Sequence, residues 1–155
     1  MTTTKMETTT DRIEKQRVLR AAPARVWRAL SDRREFGSWF GVELRDDFVP
    51  GATVLGTMTY QGKQLAFTFL IERMEPERAL SFRWHPFAID QAVDYASEPT
   101  TLVELVLAPA PEGTLLTVTE SGFDQIPVVR RAKAFEMNSH GWAEQMNNIA
   151  RHVEG

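Results

Sequence analysis

In the stretch "TLLTVTE", residues 114–120, Leu116 and Val118 alternate with Thr117 and Thr119, and the same alternation carries Glu120 onto the apolar face near the strand's end. A carboxylate there can work as an acid or base with a raised pKa, or hold a polar group of a ligand. If the strand stops earlier, Glu120 is solvated at the rim or paired with an arginine, and this is the plainer reading. Two more polar groups border apolar faces: Tyr60 ends the face that begins at Val54, and Asn138 lies at the edge of a helical apolar stripe. Either can meet a ligand, or simply satisfy water and backbone groups. The segment "HPFAIDQAVDYASEPT" (85–100) gathers His85, Asp90, Asp94, Tyr95 and Glu98. Their spacing matches no zinc motif, so no metal is expected. A solvated loop, an edge contact with a second subunit, or a lid formed by Asp94 and Tyr95 are the readings that remain.

Nucleophilic chemistry has little support. The chain lacks cysteine, which excludes thiolate catalysis, disulfides and cysteine-ligated metals. No serine elbow, phosphate loop, dinucleotide fingerprint or H-E-x-x-H occurs. Any catalysis would be acid–base work on a bound molecule, of the cyclase or hydrolase kind. Binding without catalysis is the leading expectation, and no cofactor is called for.

The 155 residues suit one domain, 12–155, after a disordered leader over 1–11, "MTTTKMETTTD". A net charge of −3 with interspersed signs leaves no footprint for nucleic acid. No apolar run approaches the ~20 residues of a membrane span, and no signal peptide is evident, so the expected location is cytoplasmic.

The elements that must position these groups follow from periodicity. "RIEKQRVLR" reads as a first strand with Ile13 and Leu19 in phase. A helix begins at Pro23, buries Val26, Ala29 and Leu30, and a second starts at Asp32 with Glu35 three residues on, as in a capping box. About six strands follow: 42–48, 53–60, 63–74, 79–84, 101–107 and 114–121, with turns at Pro50-Gly51 and Gln61-Gly62. A helix over 134–154 closes the chain, its stripe formed by Phe135, Trp142, Met146, Ile149 and Val153. Strands grouped between helices predict an α+β fold, an antiparallel sheet covered by one long helix. A curved sheet would leave a cavity beneath that helix. Gly141 interrupts the helix at a cost of about 1 kcal/mol relative to alanine. Tight packing against the first helices is the safer explanation; room for a ligand is the sharper one.

The run "RVLRAAPARVWRALSDRREFGSWFG" (17–41), with Pro23, Val26, Trp27, Ala29, Leu30 and Trp39-Phe40-Gly41, resembles the opening of the SRPBCC (START-like, Bet v 1-like) superfamily. The nearer resemblance is to the branch related to the C-terminal domain of the Hsp90 ATPase activator. "FRWHP" (82–86), "EGT" followed by a strand ending "ESGF" (112–123), and Gly141-Trp142 extend it over nearly the whole chain after residue 12. The resemblance implies a helix-grip fold: two short helices after strand 1, and a curved antiparallel sheet of about six to seven strands around the C-terminal helix, with an apolar cavity between. The superfamily includes lipid carriers, hormone receptors, polyketide cyclases and co-chaperone domains, so it narrows function little.

The expected activity is binding of a hydrophobic or aromatic small molecule in that cavity. Its candidate lining is Trp39, Phe40, Met58, Tyr60, Phe67, Phe69, Phe82, Trp84, Val103, Leu105, Leu116, Val118, Glu120, Phe135, Asn138 and Trp142. For each apolar member, ordinary core packing is the competing reading. A protein-interaction module is the remaining alternative; it predicts a filled interior and an exposed apolar patch, hinted at by Met137 on the polar side of the helix. A homodimer stays open. A chaperone partner is not favoured, because the chain leaves no room for the activator's separate N-terminal domain.

Overall fold

Short-range sequence sets each hairpin, and the hairpins build the sheet. Gln61 and Gly62 both adopt positive φ (50° and 79°), the two-residue turn whose twist suits an antiparallel pair. It joins β3 (Thr53–Tyr60) to β4 (Lys63–Glu75). The computed structural model describes residues 11–90 and 92–155. Around that hairpin, β1 (Arg12–Leu19), β2 (Glu43–Leu44), β5 (Ala79–Trp84), β6 (Thr101–Ala110) and β7 (Gly113–Ser121) complete one antiparallel sheet in the order β1-β7-β6-β5-β4-β3-β2. The fold is α+β, among the described residues a curved seven-stranded sheet with three α-helices, α1 (Pro23–Ser31), α2 (Arg33–Phe40) and the long α3 (Val128–Glu154).

Alternation decides which side chains face the helices. Val54 on β3, Phe69 and Ile71 on β4, Leu80 and Phe82 on β5, Val103 and Leu105 on β6, and Leu116 and Val118 on β7 are all buried. A register shift between Ile71 and Arg73 marks a bulge, a device that bends a strand. Trp142, Met146, Ile149 and Val153 of α3 close the core from the other side. Trp39 of α2 donates its indole N–H to the Ala29 carbonyl at 2.8 Å, locking α1 to α2.

Several expectations need correction. The segment 42–48 contributes only two residues to the ladder, because Arg33 of α2 draws the carbonyls of Leu44 and Arg45 and the carboxylate of Asp47 toward itself. The capping box is half formed. Asp32 accepts from the amides of Arg34 and Glu35, while the Glu35 side chain turns instead to Arg25, Arg28 and His152. Strands β4 and β6 run past their expected ends, β7 starts one residue earlier, and α3 starts six residues before Ala134. Its first turn escapes periodicity because Val128 and Val129 are 74% and 91% exposed, and tertiary bonds from Arg130 hold it. Residues 1–10 of the expected leader lie outside the described residues. Asp11 is ordered: its carbonyl accepts from Gly122 and Phe123, and its carboxylate from the Asp124 amide. Among the described residues no helix is long and apolar enough to cross a membrane.

Candidate functional site

Glu120 is fully buried, which overturns the solvated-rim reading. The register explains its company. Glu120 stands opposite Val103, and Trp84 opposite Thr101, so Thr101 lies one diagonal step from the carboxyl. From above, Asn138 and Trp142 project together, being four residues apart on α3.

Four groups donate to the carboxyl. Its Oε2 accepts from Trp84 Nε1 at 2.8 Å, Thr101 Oγ1 at 2.5 Å and Asn138 Nδ2 at 3.1 Å. Its Oε1 accepts from Trp142 Nε1 at 2.8 Å and Asn138 Nδ2 at 3.0 Å. Burial pushes the Glu120 pKa up, and the bonds from Thr101, Trp84, Trp142 and Asn138 pull against that rise without cancelling it. Among the described residues no cation is bonded to the group. Its roughly four lone-pair directions are all occupied, so it clasps α3 to β5 and β6 and has no free face to offer a ligand.

The ligand-sized space lies in front of that clasp. A cavity of about 380 Å³ is bounded by Phe40, Met58, Tyr60, Phe67, Trp84, His85, Phe87, Ile89, Met137, Asn138, His140, Gly141, Trp142, Glu144 and Gln145. Phe40, Trp84 and Trp142 form a triangle with ring centroids 5.8–6.0 Å apart. Phe87 stands edge-on to Tyr60 at 6.3 Å and holds a positive φ of 51°, uncommon for a bulky residue. Arg130 fixes the loop that bears it. It donates to the carbonyls of Pro86 and Phe87, bonds Glu98 through Nε at 2.9 Å with Nη2 at 2.8 Å from the same oxygen, and lies 4.7 Å over the Tyr95 ring.

Of the residues predicted from sequence, Phe40, Met58, Tyr60, Phe67, Trp84, Asn138 and Trp142 come together around this space. The others stand elsewhere. Trp39, Phe69, Phe82, Val103, Leu105, Leu116 and Val118 are core, Glu120 sits behind the wall, and half-buried Phe135 packs on Phe123 at 5.2 Å. Asp94 and Tyr95 do not reach the cavity; Asp94 caps a short turn by accepting from the Ala96 amide, and Tyr95 accepts from the Asp90 amide. Met137, expected to be exposed, is half-buried in the lining. Gly141 does not serve tight packing. A Cβ built there meets nothing within 4 Å, and the position is exposed along the cavity.

Gly141 lines the cavity, as the sharper of its two readings expected, while sequence reasoning missed His85, Phe87, Ile89, Met137, His140, Glu144 and Gln145 as lining. A signal existed for part of them: Met137 and Gln145 recur with Gly141 every four residues beside the apolar stripe and mark a second face of α3. Nothing in the sequence distinguishes the loop residues. Among the described residues no group of three or more histidine and carboxylate side chains is placed to hold a metal. A larger groove of about 550 Å³ runs between α2 and β2–β3, but Arg33, Arg34, Ser38, Glu43, Thr57, Thr59 and Gln64 give it polar, water-facing walls with little apolar surface to bury a ligand.

Comparison with known proteins matches this architecture. The profile of the activator of Hsp90 ATPase homolog 1-like proteins covers residues 20–154. Among solved structures, protein CV1439 of Chromobacterium violaceum is 23% identical, aligns over 95% of this chain and 99% of its own, and gives a TM-score of 0.75. Protein MLL2253 of Mesorhizobium loti is 20% identical over 92% of this chain and 96% of its own, with a TM-score of 0.73. DynU16, a protein of the dynemicin biosynthetic locus, is 25% identical over 93% of this chain with a TM-score of 0.70, and this chain spans 47% of its length. No curated protein matches.

Proposed function

The chain belongs to the family of activator of Hsp90 ATPase homolog 1-like proteins, and from that premise we propose that it binds a hydrophobic or aromatic small molecule between α3 and the sheet. One observation carries the reading. The helix leaves about 380 Å³ open beside Trp84, Trp142, Phe40 and Phe67, and it places a glycine, not a filling side chain, along that space. Native sequences rarely leave aromatic surface bare without a use, and burying it against a ligand is worth about 25 cal/mol per Å². An acid–base reaction is less well supported, since each direction around the best candidate acid is taken by a donor of the protein itself.

Substitution at Gly141 tests this. Gly141→Leu projects a side chain into the cavity while improving helix propensity by about 1 kcal/mol. The variant should keep or slightly raise its Tm and lose affinity for apolar probes by about tenfold or more. An unchanged affinity would mean that ligands, if bound, lie elsewhere.

A further inference from the structure

The formal charge around the cavity is one-sided. Trp84 Nε1, Trp142 Nε1 and Asn138 Nδ2 donate to Glu120. His85 Nε2 faces the Glu98 carbonyl at 3.1 Å; a carbonyl only accepts, so this nitrogen donates. Gln145 donates to the Phe40 carbonyl at 2.8 Å. Tyr60 and His140 add a hydroxyl and an imidazole to the lining, and its one carboxylate, Glu144, has no ion-pair partner among the described residues. Among the described residues no lysine or arginine is in the lining. Lys63, opposite Tyr60 at the β3–β4 turn, is exposed and lies outside it, and Arg130 is engaged with Glu98 and the loop carbonyls.

A carboxylate, sulfonate or phosphate entering this space would leave its hydration shell and meet a like charge, with no lysine or arginine of the lining to offset the loss. An ammonium group would meet the opposite: a carboxylate at the mouth, and the ring triangle of Phe40, Trp84 and Trp142, whose π-faces attract cations. Resting on the cavity reading above, we propose that this pocket selects arylmethylamines, a planar aromatic body bearing an ammonium group, and discriminates against anionic ligands of the same shape. Glu144 sets that preference from the rim, and the ring triangle seats the aromatic body.

The test compares three probes of one skeleton and ring position: naphthylmethylamine, naphthylmethanol and naphthoate, titrated at neutral pH by calorimetry and by tryptophan fluorescence. The expected order is amine, then alcohol, then carboxylate, with about tenfold between amine and carboxylate. Glu144→Gln should weaken the amine about fivefold and leave the alcohol within about twofold; Glu144→Lys should bring the carboxylate level with the amine or ahead of it. Glu144 is exposed, so both variants are expected to fold, and the wild-type order alone already decides the matter. Carboxylate binding as tight as the amine overturns the charge preference and leaves cavity binding intact. No binding of any probe to folded protein overturns both.

Discussion

Replacing Glu120 with glutamine should cost about 2–3 kcal/mol at neutral pH. The carboxyl serves both indoles, a threonine and an amide, all as donors. Glutamine keeps one oxygen and turns the other into an –NH₂ that faces N–H groups. Whichever way the amide sits, one indole is left buried without an acceptor, at about 1–3 kcal/mol, and the other bonds lose their charge assistance. Relief from burying a charge offsets part of this. For a chain of this size the Tm should fall by roughly 4–12 °C. The pH dependence gives a second reading. Burial raises the Glu120 pKa above its ordinary 4.5, so the folded state holds the proton more tightly than the unfolded chain. That contribution is full below 4.5 and is lost as the pH rises through the folded value. The gap between wild type and Glu120→Gln should therefore widen as the pH falls from neutral toward 4.5. The Thr101 hydroxyl donates to the carboxylate and holds that pKa down, so Thr101→Val should raise it further and steepen the pH dependence. Thermal denaturation followed by near-ultraviolet circular dichroism measures the wild type and both variants. A Tm within about 1 °C of wild type for Glu120→Gln, with an unaltered pH slope, would refute the clasp.

Other perturbations act at separate places. Arg130→Gln removes a cation that is 17% exposed against Glu98, itself 16% exposed, and frees two loop carbonyls; hydrogen exchange over 86–98 should accelerate, at a stability cost of about 2–4 kcal/mol. Unchanged exchange there would show that Arg130 does not hold the loop. Glu35 should govern acid stability: partial burial works against its ionised form, but bonds from His152, Arg25 and Arg28 outweigh this and hold its pKa at about 2. Its contribution is complete above 4.5 and lost as the pH falls toward 2; with the side chain 23% exposed, about 1–2 kcal/mol survives solvent screening. Glu35→Gln should remove that part of the acid transition in a pH titration of Tm, and an unshifted transition would assign it to other carboxylates.

Local chemistry already stands in the sequence. Pro23 opens α1, Asp32 caps α2, Gln61-Gly62 turns β3 into β4, and two-residue alternation puts Leu116, Val118 and Glu120 on one face. These depend on neighbours a few residues away, so one chain read in order suffices for the α+β class and for the face of each strand. Depth is another matter. Phe67 and Phe69 share a face of β4, yet Phe69 is sealed in the core and Phe67 borders the cavity. Glu120 could be rim or interior until Trp84, Thr101, Asn138 and Trp142, 18 to 36 residues away, closed over it. Likewise Gly141 carries the same single letter whether its missing Cβ admits a neighbouring strand or leaves open space. Periodicity reports direction relative to a backbone; only the folded separation of helix and sheet decides whether that direction ends in packed side chains or in room for another molecule.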